Sequence, residues 1–260
     1  MKTRTVLSLV FLVALAAGAA QQTALASASE LSDLELLAAL DEARFVSASV
    51  NQIRVRIVSE TPDETREAEL LLQFRDQDGD RRARIAFTTP EELAGQVYLT
   101  TPEATYFTSP DLEFPIKTSA TAEVFGDAAV AQTSGIRFAE SYTLVARREV
   151  VSEEGTPRLE LDLQAVDFSV AFQAVTVTVD EETARPLFAT LFALSGLPFY
   201  DVEYANYTTR EDGDLYVRTQ RIVNRLFAGR VTTSDLVEAL ATDLAPSLFD
   251  PETFATRETP

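Results

Sequence analysis

The chain has 260 residues, with no Cys, no His and a formal net charge of −19. Lacking His and Cys, it can build neither a Ser-His-Asp or Cys-His triad nor a His- or Cys-ligated zinc or copper site. So large an acidic excess argues against nucleic acid and anionic lipid surfaces as partners, because phosphate binding needs a basic face; its plain use is solubility.

The N-terminus reads as an export signal. Lys2 and Arg4 form a basic start, and Val6 to Ala20 follows without a charge. Ala24-Leu25-Ala26 and Ala26-Ser27-Ala28 both have the small-x-small pattern of a signal-peptidase site. The apolar run is shorter than the ~20 residues of a membrane-spanning helix. Residues 1–28 are therefore expected to be a signal peptide, cleaved near Ala26 or Ala28, with residues 29–260 as a single domain in the periplasm. Residues 1–26 hold two basic and no acidic residues, so their removal takes the charge from −19 to −21. An exported protein without disulfides must be held together by its own core, and the length suffices for one.

Glu30 to Phe45 carries apolar residues at Leu31, Leu34, Leu37, Ala38 and Leu40, and Ser32 with Glu35 forms a capping box. One amphipathic helix is expected there. The period then changes to two. Ile53, Val55 and Ile57 alternate with Gln52, Arg54 and Arg56; Leu70, Leu72 and Phe74 continue, then Ala83, Ile85 and Phe87. Between the last two sets lies Asp76-Gln77-Asp78-Gly79-Asp80. As a calcium loop it fails, since the sixth and twelfth positions hold Arg81 and Phe87 in place of Gly and Glu. Asp-Gly between two strands is a hairpin signal instead, and Glu211-Asp212-Gly213-Asp214 reads the same way. Short strands at Val97–Leu99 and Tyr106–Phe107 complete an antiparallel meander.

Residues 119–141, rich in Ala, Ser, Thr and Gly, are expected to leave the sheet as a helix or loop, with Glu123 to Val130 the more helical part. Strands resume at Tyr142–Val151, Leu159–Leu163, Phe172–Val179, Leu187–Leu194, Phe199–Tyr204 and Leu215–Ile222. Ser234 to Leu244 fits a short helix or a final strand, and Leu248-Phe249-Asp250-Pro251 ends the domain. Ten to twelve strands are more than a twisted open sheet carries easily, so the sheet should curl. Its apolar concave face must then be covered, either by helices that plug it or by helices that act as a lid.

Phe87-Thr88-Thr89-Pro90, Gly95, Leu99, Tyr106-Phe107-Thr108-Ser109-Pro110 and Gly135-Ile136-Arg137-Phe138 together resemble the outer membrane lipoprotein-sorting proteins of LolA-like and LolB-like fold. The closing Leu248-Phe249-Asp250-Pro251-Glu252-Thr253-Phe254 resembles that group's C-terminal exit, and the resemblance covers roughly residues 35–255. It implies a mainly β (α+β) architecture: a curled antiparallel sheet forming an open half-barrel, with a few helices over the concave face. It implies a non-enzymatic periplasmic carrier of lipid acyl chains or lipoproteins, with no cofactor or metal, no catalytic residue, and an inner-membrane transporter as a partner. A monomer is expected.

An acyl chain gains ~0.8 kcal/mol per methylene removed from water, so such a carrier needs an apolar groove and no catalytic group. The inward apolar sets name the expected pocket: Ile53, Val55, Leu72, Phe74, Phe87, Leu99 and Phe107, with Phe172, Leu191, Phe192 and Tyr204. Pro90, Gly95, Pro110 and Gly135 are read as turn or bulge formers. A sensor or scaffold on the same fold, with the concavity plugged, is the alternative. A carboxylate-pair hydrolase is formally open, but the acidic residues fall mainly in turns and on outward strand positions.

Overall fold

The computed structural model describes residues 27–44, 50–77, 80–134, 136–209 and 215–254. The signal-peptide reading of residues 1–26, the Asp78-Gly79 and Glu211–Asp214 turns, and Gly135 lie outside the described residues. Among the described residues, no helix is long and apolar enough to cross a membrane.

The first half comprises α1 (Asp33–Arg44), β1 (Gln52–Glu60), β2 (Thr65–Gln77), β3 (Asp80–Thr89), β4 (Val97–Thr100), β5 (Thr105–Thr108) and β6 (Ile116–Thr118). The excursion follows: β7 (Glu123–Phe125), β8 (Ala128–Ala129), α2 (Val130–Ser134) and α3 (Phe138–Ser141). Then come β9 (Tyr142–Val151), β10 (Pro157–Ala165), β11 (Ala174–Asp180), β12 (Pro186–Phe192), β13 (Pro198–Ala205), β14 (Thr208–Thr209), β15 (Leu215–Tyr216), β16 (Thr219–Asn224) and β17 (Val231–Leu240). A 3-10 turn, Pro246–Phe249, closes the set.

Thirteen strands form one antiparallel sheet in the order β6-β5-β4-β3-β2-β1-β17-β16-β13-β12-β11-β10-β9. The last strand returns to pair with the first, and β6 and β9 stay as edges, so the sheet curls without closing. The alternation that marks β1 in the sequence is also its burial: Ile53, Val55, Ile57 and Ser59 are buried between outward Arg54 and Arg56. β11 does the same with Val175, Val177 and Val179. The β2–β3 register, Gln77 opposite Asp80, leaves two residues for the connection.

α1 enters on its capping box. The Ser32 backbone N–H donates to Glu35 Oε2 at 2.9 Å and the Glu35 N–H donates to Ser32 Oγ at 3.4 Å, so orphan donors at the helix start are satisfied reciprocally. Its buried stripe is Leu36, Leu37, Leu40 and Ala43, and it packs against α3, β9 and β12. Leu34, counted in the sequence stripe, points outward.

Two segments differ from the sequence reading, and one that it left open is decided. Glu123 to Val130 is mostly a small hairpin, β7–β8, whose tip is turned by Gly126 at φ +57°. The ambiguous Ser234–Leu244 segment is strand through Leu240, because it has β1 on one side and β16 on the other to satisfy its backbone. The C-terminal segment does more than end the domain. It runs under the convex side of β2–β4, where Leu244, Leu248, Phe249 and Phe254 pack with Ala86, Val97 and Leu99 as a second core. Arg75, Arg82 and Arg84 each donate to one of its carbonyls, those of Leu244, Phe249 and Phe254.

Candidate binding cavity

The concave face is continuous across the sheet because each strand's inward set is in register with the next. Leu72 stands opposite Ile53 on β1 and Ile85 on β3. Tyr200 stands opposite Leu191 and Asn224, and Val202 opposite Ala189 and Ile222. Over this face lie α1 and the excursion, residues 119–141. Between them is a cavity of about 100 Å³. Its apolar wall includes Ile53, Val55, Leu72, Phe74, Leu191, Val202, Tyr204, Ile222 and Leu236; Arg44, Gln132, Thr133, Arg218, Gln220 and Ser234 form polar parts of the lining.

The cover is pinned at two places. At one, Asp41 of α1 accepts the backbone N–H groups of Phe138 and Ala139 at 2.9 and 3.0 Å. α3 has no side-chain cap of its own, since its N-cap residue is Arg137, so a carboxylate from another helix fills that role. Arg44, one turn on, pairs with Asp41 at 3.2 Å, donates to the Ile136 carbonyl and lies 3.9 Å from the centroid of the Phe138 ring. At the other place the β7–β8 tip docks on the sheet. Asp127 is fully buried; it accepts from Asn224 Nδ2 at 2.5 Å and pairs with Arg230 at 3.0 Å, while its N–H donates to Thr232 Oγ1.

Aromatic hydroxyls near the cover stay protonated. Burial pushes the Tyr142 phenol well up, and its hydroxyl donates to the Phe172 carbonyl at 2.8 Å. Burial, helped by the nearby charges of Glu123 and Asp127, pushes Tyr200 up to about 12. Among the described residues, no three His, Cys, Asp or Glu side chains are grouped to hold a metal ion.

Of the eleven residues the sequence named for a pocket, Ile53, Val55, Leu72, Phe74, Leu191 and Tyr204 line this cavity. The other five lie elsewhere. Phe87 is buried on the same sheet face farther along, 6.3 Å from the Phe125 ring, and Phe107 packs on Tyr98 at 4.8 Å. Phe172 is buried in the β10–β11 loop, edge-on to Tyr200. Phe192 pairs with Ala174, outside the inward series of Val175 and Leu191. Leu99 is on the convex side: it pairs with Arg84, whose neighbours Ala83 and Ile85 face inward, and it belongs to the second core. β4 is apolar on both faces, so alternation could not tell them apart.

Sequence reasoning also passed over lining residues. Val202 and Ile222 sit on strands already recognised, and parity from Tyr204 would have found Val202. Gln220, Ser234, Gln132 and Thr133 carry no apolar signal at all. Arg44 brings a charge to the lining: its side chain is only 6% exposed and reaches the cavity, its charge answered by Asp41.

A protein-family model described as "uncharacterized protein" matches residues 79–256. No curated protein matches the chain. Among solved structures, a LolA superfamily protein from Nitrosomonas europaea is similar at 22% identity and TM-score 0.76, over 85% of this chain and 98% of that one. A putative outer membrane lipoprotein-sorting protein domain from Vibrio parahaemolyticus is similar at 16% identity and TM-score 0.70, over 84% and 96%. A DUF1329 family protein from Desulfovibrio piger is similar at 13% identity and TM-score 0.71, over 84% and 95%.

Proposed function

The chain belongs to the family whose model spans residues 79–256 and has the fold of the LolA superfamily, and from that premise we propose that it is an exported, non-enzymatic carrier of lipid acyl chains or lipoproteins in the periplasm. The observation that carries this reading is the cavity itself: an apolar wall drawn from β1, β2, β12, β13, β16 and β17, under a cover made of short elements. Short helices that touch the sheet less extensively than its strands touch one another are the part of a fold that opens most cheaply. In this closed arrangement the cavity, at about 100 Å³, is smaller than the roughly 300 Å³ at the low end of ligand pockets. Loading therefore requires α2 and α3 to swing outward, enlarging the same apolar wall.

The names of two similar structures, a LolA superfamily protein and a lipoprotein-sorting domain, support the cargo class. An inner-membrane transporter remains the expected donor and the monomer the expected form. Export is supported by the Lys2–Ala28 pattern. The test is native purification followed by lipid extraction and mass spectrometry, with a fluorescent fatty acid titrated into the delipidated protein. Co-purified lipid and saturable binding are expected; the absence of both sinks the proposal.

A second reading, a sensor or scaffold with a plugged concavity, is favoured by two observations: the buried Asp41–Arg44 pair and the small cavity volume. It predicts that the same titration gives no saturation.

A further inference from the structure

Three neighbouring hairpins carry a second apolar surface, separate from the cavity. The register row Leu163–Val175–Leu191–Tyr200–Asn224 crosses β10, β11, β12, β13 and β16. Just beyond it, at one end of the sheet, the β10–β11, β12–β13 and β16–β17 connections project side by side. At a strand spacing of ~4.8 Å, adjacent hairpin tips stand roughly 10 Å apart, in a row about 25 Å wide. Those tips present Val166 and Phe168, Leu194 and Leu197, and Leu226 and Phe227, each 50% to 86% exposed. Nothing in the fold needs large apolar side chains at the tips of turns, where small polar residues serve.

The tips are also ordered. Asp167 Oδ1 accepts the Ser169 N–H at 2.7 Å and the Ser169 hydroxyl at 2.5 Å, bracing the turn from which Phe168 projects. Gly196, at φ +79°, closes a turn with its N–H on the Ala193 carbonyl, between Leu194 and Leu197. Asn224 Oδ1 accepts the N–H groups of Leu226 and Phe227, both at 2.9 Å. The apolar side chains are thus held outward by turns whose own hydrogen bonds are made.

Charge decides what they meet. The chain carries −19 overall, yet residues 166–173, 193–198 and 225–230 contain one acidic residue, Asp167, and two basic ones, Arg225 and Arg230. Arg225 pairs with Asp201 at 3.0 Å and Arg230 with Asp127, at the base of the tips. Few polar groups are left on the tips for a protein partner to read, and three separate convex points make a poor flat interface. Convex apolar points with little net charge, their two arginines already neutralised by carboxylates, suit the uncharged surface of a bilayer, where apolar side chains can reach hydrocarbon. The acidic turn Asp63-Glu64 next to the row, together with the overall charge, excludes an anionic surface.

We propose that these three hairpin tips dock the protein, peripherally and reversibly, on a zwitterionic lipid bilayer. The proposal stands on the exposed tips alone and is independent of what the cavity holds. The chain contains no Trp, so single replacements Phe168→Trp, Leu194→Trp and Phe227→Trp report each tip without background. With phosphatidylcholine vesicles, all three should shift their emission to the blue, and the protein should float with the vesicles. Val237→Trp, an exposed apolar site on β17, should not shift. The triple variant Phe168→Ser, Leu194→Ser and Phe227→Ser should lose vesicle partition at least tenfold with its melting temperature unchanged. Absence of flotation, equal partition of the triple variant, or an equal shift at Val237→Trp overturns the proposal. So does a blue shift that grows with protein concentration in the absence of vesicles, which would assign the row to a second copy of the chain.

Discussion

Asp41 holds the first amide of a helix that is not its own: its Oδ1 accepts the Phe138 N–H at 2.9 Å, ninety-seven residues away in sequence. That bond, the parallel one to Ala139 and the Arg44 pair are what tie α3 to α1. Asp41→Ala leaves the Arg44 guanidinium buried without its carboxylate, at a cost of about 3 kcal/mol or more, and two α3 amides without an acceptor. Urea denaturation should show that loss, and amide exchange should accelerate at residues 138–141 before the sheet. Unchanged exchange there would show that α3 is held by packing alone.

The other pin sets a steric limit. Gly126 has φ +57°, and a Cβ on it would stand 2.5 Å from both Ser59 Oγ and Thr232 Oγ1. Gly126→Ala must therefore lift the β7–β8 tip off the sheet or push β1 and β17 apart. A loss of about 2 kcal/mol or more is expected, read as a lower denaturation midpoint. Gly155→Ala, at φ +83° in open space, isolates the strain of the dihedral alone and should cost less.

Cavity and convex core separate ligand binding from stability. Leu191→Trp puts an indole into the cavity and should weaken fatty-acid probe binding at least tenfold. Overpacking should cost only about 1–3 kcal/mol in stability. Leu99→Ala, on the opposite face, should destabilise by about 3 kcal/mol and leave probe affinity unaltered in the folded protein. Equal effects of the two on binding would remove the cavity from the account.

The helix entry should be sensitive to acid. The Ser32 hydroxyl, and then its backbone N–H, hold Glu35 below its ordinary value of 4.5. A carboxylate with a lowered folded value contributes stability that is present above the ordinary value. That contribution disappears as pH falls through the lowered one. An NMR titration should place Glu35 below 4.5, and Ser32→Ala, which removes the hydroxyl and keeps the backbone N–H, should raise it toward the ordinary value. Coincident titrations in the two proteins would show that the capping box is not formed in solution.

Ala28 separates the two cleavage positions that the sequence leads one to expect. It is fully buried, and its N–H donates to the Glu181 carbonyl at 2.8 Å. Cleavage after Ala26 keeps that anchor and cleavage after Ala28 removes it. Intact mass of the exported protein should place the new N-terminus at Ser27; a start at Ser29 contradicts this.

Where one face of an element is buried and the other wet, the residue pattern alone was readable. β1 and β11 alternate cleanly, the Ser32–Glu35 box marks where α1 begins, and the strand count implied a sheet that curls. Six of the eleven named pocket residues meet at one cavity because they lie on such strands. Leu99 lies off the concave face for a local reason. Val97-Tyr98-Leu99 is apolar on both faces, since the C-terminal segment covers the convex side, and a period of two then carries no sign.

Composition and local pattern therefore determined the chemistry the protein lacks, the capped helix and most inward strand faces, because those depend on residues within a few positions of each other. Tertiary structure alone decided which face Leu99 joins, that the Ser234–Leu240 stretch is strand, and that Asp41 and Asp127 pin the cover. Those outcomes rest on partners about a hundred or more residues apart in most cases. A carboxylate buried as a cap and one dissolved in water look the same until the chain has folded around them.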